Sequence, residues 1–132
     1  MPDSILGRYV SVNYGTYMIE LNGNVLPNAS KEMIATTIIH EALHAYMDYS
    51  GINNYFNDHD SMGAAYVDEM ANALKELFPT LSYSDATALA WGGLHESMAW
   101  SQLVMKKPSL AQSTLNNIKQ YIDKTKGTGC QP

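Results

Sequence analysis

The segment His40-Glu41-Ala42-Leu43-His44 carries the residue types and spacing that do chemistry. On an α-helix, positions i and i+4 lie one above the other on the same face, so His40 and His44 can reach a single ion. Glu41 sits one residue on from His40, beside that site rather than in it. A carboxylate there can take a proton from water without occupying the metal. Zinc needs such a partner, because the ion supplies the Lewis acid while a separate group must receive the proton. With 4 His and 6 Glu in 132 residues, the pattern has roughly one chance in two hundred of arising at random. The bland alternative is two core histidines satisfied by backbone carbonyls, with Glu41 exposed. It is expensive, because it buries His, Glu and His together without a metal.

A catalytic zinc usually takes three protein ligands and keeps one position for water. His59 follows His44 after fourteen intervening residues, at the start of the next predicted helix. A histidine at a loop-to-helix junction can fold back over the first helix, which makes His59 the leading third ligand. Glu69 is the helical-carboxylate alternative; Asp60, Asp58 and His95 also remain open. Asp48, one turn beyond His44, is a candidate acceptor for the second N–H of that imidazole. Tyr66 lies two turns after His59 and is a candidate donor to a tetrahedral oxyanion. Trp91-Gly92-Gly93-Leu94 places two glycines inside a helical pattern, at a cost of about 1 kcal/mol each against alanine. Close packing or a cleft wall there would compensate.

The elements that position these residues read as α+β. Gly7–Val12 and Thr16–Leu21 are rich in β-branched and aromatic residues, with Asn13-Tyr14-Gly15 as a turn between them. A short N-terminal antiparallel β-hairpin is expected. About four helices follow. The first runs from caps in Pro27–Ser30 to about Tyr49, with Gly51 as its stop. The second starts at Asp58 or Asp60 and ends at Phe78 before Pro79. The third follows the Ser82–Asp85 capping box and reaches about Lys106. The fourth follows Pro108 to about Thr125, with Ile118, Tyr121 and Ile122 on one stripe. Gly127-Thr128-Gly129 reads as a frayed tail, and the eight methionines as fillers of core gaps.

Composition narrows the function classes. The 132 residues are 45% hydrophobic and 16% charged, enough for one core and unlike a disordered tail or a coiled coil. A formal net charge of −5 and the absence of a basic stripe argue against a nucleic-acid partner. No run approaches eighteen apolar residues, so no membrane span is expected. Cys130 stands alone, which excludes an internal disulfide and a Cys-based zinc ribbon. No signal peptide is visible at the start.

The segment Ile39-His40-Glu41 to His44-Ala45-Tyr46 resembles the active-site helix of zincin metallopeptidases. The third-His position of the metzincin branch fails, because Ala45-Tyr46-Met47-Asp48 follows His44. A His opening a helix, here His59, resembles the SprT-like minimal zincins. Asp60 and Met62 stand where those carry Gly and an aromatic, and their Cys-rich ribbon is missing. Residues 29 to 100, with the later Ala-Trp-Gly-Gly-Leu, also resemble metallopeptidase domains at the C-terminal ends of Bacteroidetes polymorphic toxins. The resemblance implies one metallopeptidase domain over residues 1–132, part of a longer exported protein. It implies a central zinc-binding helix, zinc on His40, His44 and His59, and Glu41 as catalytic base. The implied partners are a protein or peptide substrate and an immunity or inhibitor protein, with toxin effector activity as one biology. In zincins the substrate backbone often adds to a sheet edge beside the metal, and Thr16–Leu21 is the expected edge. Two other readings stand beside it. One is a catalytically inactive zinc-binding module with a structural or partner-binding role; the other is a DNA-linked repair protease, which the acidic balance disfavours.

Overall fold

The computed structural model describes residues 1–51 and 58–130. Strand β1 (Gly7–Asn13) pairs antiparallel with β2 (Thr16–Leu21), in the register Gly7↔Leu21 and Tyr9↔Ile19. Gly15 closes the turn at φ 78°, a left-handed conformation that glycine adopts without cost. The hairpin of the sequence analysis is therefore present. A short 3-10 turn, Leu26–Asn28, leads into helix α1 (Lys31–Tyr49). Ser30 caps α1 by accepting from the Met33 N–H at 3.1 Å, and Gly51 follows the helix at φ 69°.

Six helices rather than four follow the hairpin among the described residues, because two of the expected helices are interrupted. The second divides at Tyr66 into α2 (Asp58–Ala65) and α3 (Val67–Leu77). Its halves pack on different partners. In α2, a Cβ at Gly63 would lie 2.8 Å from Ser97 Oγ, and Asp60 accepts from the Met98 N–H at 2.8 Å. Helix α3 lies instead against α1 and against α4 (Tyr83–Ala90). The third expected helix stops at Trp91, and α5 (Met98–Lys106) restarts it with Ser97 as cap. Gly93, at φ 79°, turns the chain in between. Helix α6 spans Pro108–Ile122.

The core is built from Leu26, Met33, Met47, Met62, Met70, Leu74, Leu89, Leu94, Ile118 and Tyr121. Each large side chain so buried contributes about 1.5–3 kcal/mol before entropy is counted. Of the eight methionines, Met33, Met47, Met62 and Met70 fill this core; Met1, Met18, Met98 and Met105 are exposed. No described helix is long and apolar enough to cross a membrane.

The tail is docked, not frayed. Glu32, 6% exposed at the start of α1, accepts from the Thr128 N–H at 2.8 Å and from the Thr128 hydroxyl at 2.9 Å. The Lys31 N–H donates to the Thr128 carbonyl at 2.8 Å, and the Ser30 N–H to the Tyr121 carbonyl at 3.0 Å. An acid in the first turn also suits the partial positive charge of a helix N-terminus. Glu32→Ala should cost about 2 kcal/mol by removing hydrogen bonds to a buried charge. A lower denaturant midpoint, with faster proteolysis after residue 122, checks it.

Candidate metal centre

Helix α1 presents Met33, Thr36, Thr37, His40, Glu41 and His44 along one face of a cavity of about 650 Å³. This is the i, i+3, i+4 stripe that helical geometry dictates. His59, in the first turn of α2, faces the same cavity. The three imidazoles turn their Nε2 atoms toward one another. His44 Nε2 lies 3.2 Å from His40 Nε2 and 3.2 Å from His59 Nε2. Nitrogens around a tetrahedral ion at 2.0–2.1 Å are separated by about 3.3 Å, so the spacing suits one divalent cation. His40, His44 and His59 therefore lie close enough to bind a metal ion.

The protonation states suit the same task. His44 Nδ1 donates to Asp58 Oδ2 at 2.8 Å, which leaves the Nε2 lone pair facing the cluster. Burial, and then the neighbouring His44 and His59, push His40 down to about 3, so it stays neutral at ordinary pH. His40 Nδ1 is buried without a hydrogen-bond partner in the structure. His44 is also lowered, by burial first, although its bond to Asp58 opposes the shift. His59 Nδ1 lies 3.6 Å from the exposed carboxylate of Glu96.

Backbone and aromatic groups shape the surroundings. Gly93 lies flat against His40: a Cβ there would come 3.0 Å from the ring Cε1. With its positive φ, this explains Gly93, while a Cβ at Gly92 would meet the Leu89 carbonyl oxygen at 2.9 Å. Gly7 performs the same service for β1, since a Cβ would meet Thr37 Cγ2 at 2.8 Å and Glu41 Cγ at 3.4 Å. The Tyr9 ring stacks on His44 with centroids 5.3 Å apart and planes 10° from parallel. Glu41 is 7% exposed. Burial pushes its carboxyl above the usual range, and a hydrogen bond from the Tyr9 backbone partly restores it.

Several sequence expectations require correction. The group that orients His44 is Asp58 and not Asp48. Helical side chains lean toward the N-terminus, which carries the His44 ring away from Asp48; Asp48 instead faces the Tyr17 phenol. Tyr66 and Glu69 line a separate depression with Ile39, Ala42 and Leu43, on another side of α1. Asp60 is engaged by the Met98 N–H. His95 lines the metal-centre cavity, but its ring packs on Trp100 with centroids 4.7 Å apart. The strand that borders the cavity is β1, through Gly7, Arg8 and Tyr9, rather than β2. Nothing in the sequence marked Tyr9, whose place depends on how the hairpin crosses α1; Asp58 was visible only as an alternative ligand.

No protein-family model, curated protein or solved structure matches this chain. The site is therefore read on its own geometry.

Two outcomes follow from that geometry. Asp58→Ala should weaken binding of an added divalent cation about 10- to 100-fold while His59→Ala should reduce metal content sharply, both read by elemental analysis and competition titration. In the metal-free protein, His40 protonates readily only after unfolding, so its contribution to stability is full above about pH 6.5 and is lost as pH falls toward 3. His40 alone accounts for a loss of about 2 kcal/mol at pH 5, measured by denaturant titration at pH 7 and 5 with chelator present. Glu41, shifted upward, opposes this, so the loss should be steeper in Glu41→Gln.

Proposed function

We propose that this chain is a zinc-dependent metallopeptidase domain that hydrolyses peptide bonds. The observation that carries the reading is Glu41. It faces the same cavity as His40, His44 and His59, yet it lies outside the donor set that those three form. Among the described residues that set holds three donors, not the four of a closed structural zinc site, and it opens on a cavity. This favours a reacting centre over a purely structural one.

When bound, the ion polarises a peptide carbonyl and lowers the pKa of water. His40, His44 and His59 would hold it through their Nε2 atoms. Glu41 takes the proton from the attacking water and returns it to the leaving amine. Its raised pKa makes it a stronger base than a surface carboxylate. The Tyr9 N–H holds its carboxylate in place, which leaves the base oriented toward the cavity.

Strand β1 supplies a surface for the substrate backbone. The Asn22 N–H donates to the Leu6 carbonyl at 2.8 Å, in step with the β1–β2 register. Antiparallel alternation then turns the backbone groups of Gly7, Tyr9 and Ser11 away from β2. The Tyr9 N–H on that edge is taken by Glu41, so an extended peptide can pair there through the groups that remain, beside the histidines.

The deciding experiment loads the protein with zinc and incubates it with an unfolded protein substrate and with a quenched peptide library. Wild type should cleave. Glu41→Gln should keep about one zinc per chain and lose about a thousandfold in kcat/KM, the typical share of one proton-transfer group. Cleavage by Glu41→Gln at the wild-type rate would overturn the role given to Glu41.

A further inference from the structure

The cavity is longer than a metal centre needs. Its stripe on α1 runs from His44 back to Met33, eleven residues or about 16 Å of helix. The chemistry changes along that length. The His44 end carries the three imidazoles and Glu41. The Met33 end is walled by Leu6, Val25, Met33, Ile118 and Ile122, from the N-terminal segment, the β2–α1 connection, α1 and α6.

Between the two ends lie Thr36 and Thr37, whose hydroxyls are already used. Thr36 donates to the Glu32 carbonyl at 2.7 Å and Thr37 to the Met33 carbonyl at 2.9 Å. Both threonines thus add no unmet polar demand to the cavity floor. The other charged residues that line the cavity, Asp3, Arg8 and Glu96, are all exposed, and Glu96 lies at the metal end, 3.6 Å from His59 Nδ1. A recess so lined offers water few hydrogen-bond partners and rewards apolar contact. Its outer wall is fixed: Asn22, 2% exposed, donates to the carbonyls of Pro2 at 3.1 Å and Ile5 at 2.8 Å.

We propose that this recess is a specificity subsite for a large apolar side chain, of the Leu, Met or Phe class, on a substrate residue flanking the carbonyl held at the histidines. The proposal rests on the reading of those histidines as a metal centre. The metal end fixes the carbonyl, and the recess selects the residue beside it. Charged and small side chains gain nothing there.

The test compares two chelating probes on the zinc-loaded protein: acetohydroxamic acid and 4-phenylbutyrohydroxamic acid. They share the zinc-binding group and differ in an apolar arm that reaches the recess. Calorimetry should find the second at least about tenfold tighter in wild type, as burial of several carbon groups implies. Val25→Phe and Ile122→Trp, on two different elements, fill the recess and should abolish that gain while leaving acetohydroxamate binding unchanged. A gain absent in wild type, or kept in both filled variants, overturns the subsite while the metal centre stands. Failure of acetohydroxamate to bind fails the metal reading instead. The recess is then read with 4-phenylbutanamide on the metal-free protein. Shifts in the methyl resonances of Met33, Ile118 and Ile122 support it, and unshifted resonances overturn it.

Discussion

Three imidazole nitrogens meeting inside a folded chain, with His44 Nε2 3.2 Å from each of the other two, is the constraint on which the rest depends. Neutral rings facing one another are tolerable; charged ones are not. Each ring must therefore be kept neutral and have its position fixed from outside the cluster. Burial keeps His40 neutral and also lowers His44, while the Asp58 carboxylate fixes the His44 ring through Nδ1 and opposes that lowering. His59 is placed by the α2–α5 junction, where Asp60 receives the Met98 N–H and Gly63 admits Ser97. The glycines at 7 and 93 have the same logic. They bring backbone against Thr37 and His40 where a side chain would collide. The cost of these arrangements falls on the core around α1, whose N-terminus is fastened by the tail through Glu32.

What the sequence shows plainly is what is local. The hairpin follows from alternating strand residues around a turn glycine. Helix α1 and the caps at Ser30 and Ser82 follow from a serine's reach to an N–H three residues on. The His40–His44 pair follows from helical pitch alone. What it hides depends on residues far apart. The kink at Tyr66 comes from two packing partners pulling on one helical pattern. The break after Trp91 comes from His40, fifty-one positions earlier, needing a flat neighbour. The tail docks because Glu32, ninety-six positions away, is buried beneath it. Asp58 displaces Asp48 for a similar reason: spacing along a helix says which residues share a face, but side-chain direction decides which atoms meet.

Helix α1 shows how one element keeps separate tasks apart. Residues 33, 36, 37, 40, 41 and 44 face the large cavity, while Ile39, Ala42 and Leu43 face the depression that contains Tyr66 and Glu69. A 3.6-residue period makes that division unavoidable. It also removes Tyr66 and Glu69 from any direct part in the chemistry proposed for the cavity. A different stabiliser for developing negative charge must then come from the cavity's own lining, where Arg8, His95 and the backbone of β1 carry donors.

Glu41 shows why the strand and the helix must be read together. A carboxylate beside three histidines would by itself approach any cation they hold and become a fourth ligand. Here the Tyr9 N–H supplies a competing partner. The same strand turns its outward backbone groups along the cavity and lays the Tyr9 ring on His44. One strand thus restrains the base, steadies a donor and borders the cleft. The separation of base from ligands, on which the proposed hydrolysis depends, is a property of the β1–α1 contact and not of the His-Glu-x-x-His pattern alone.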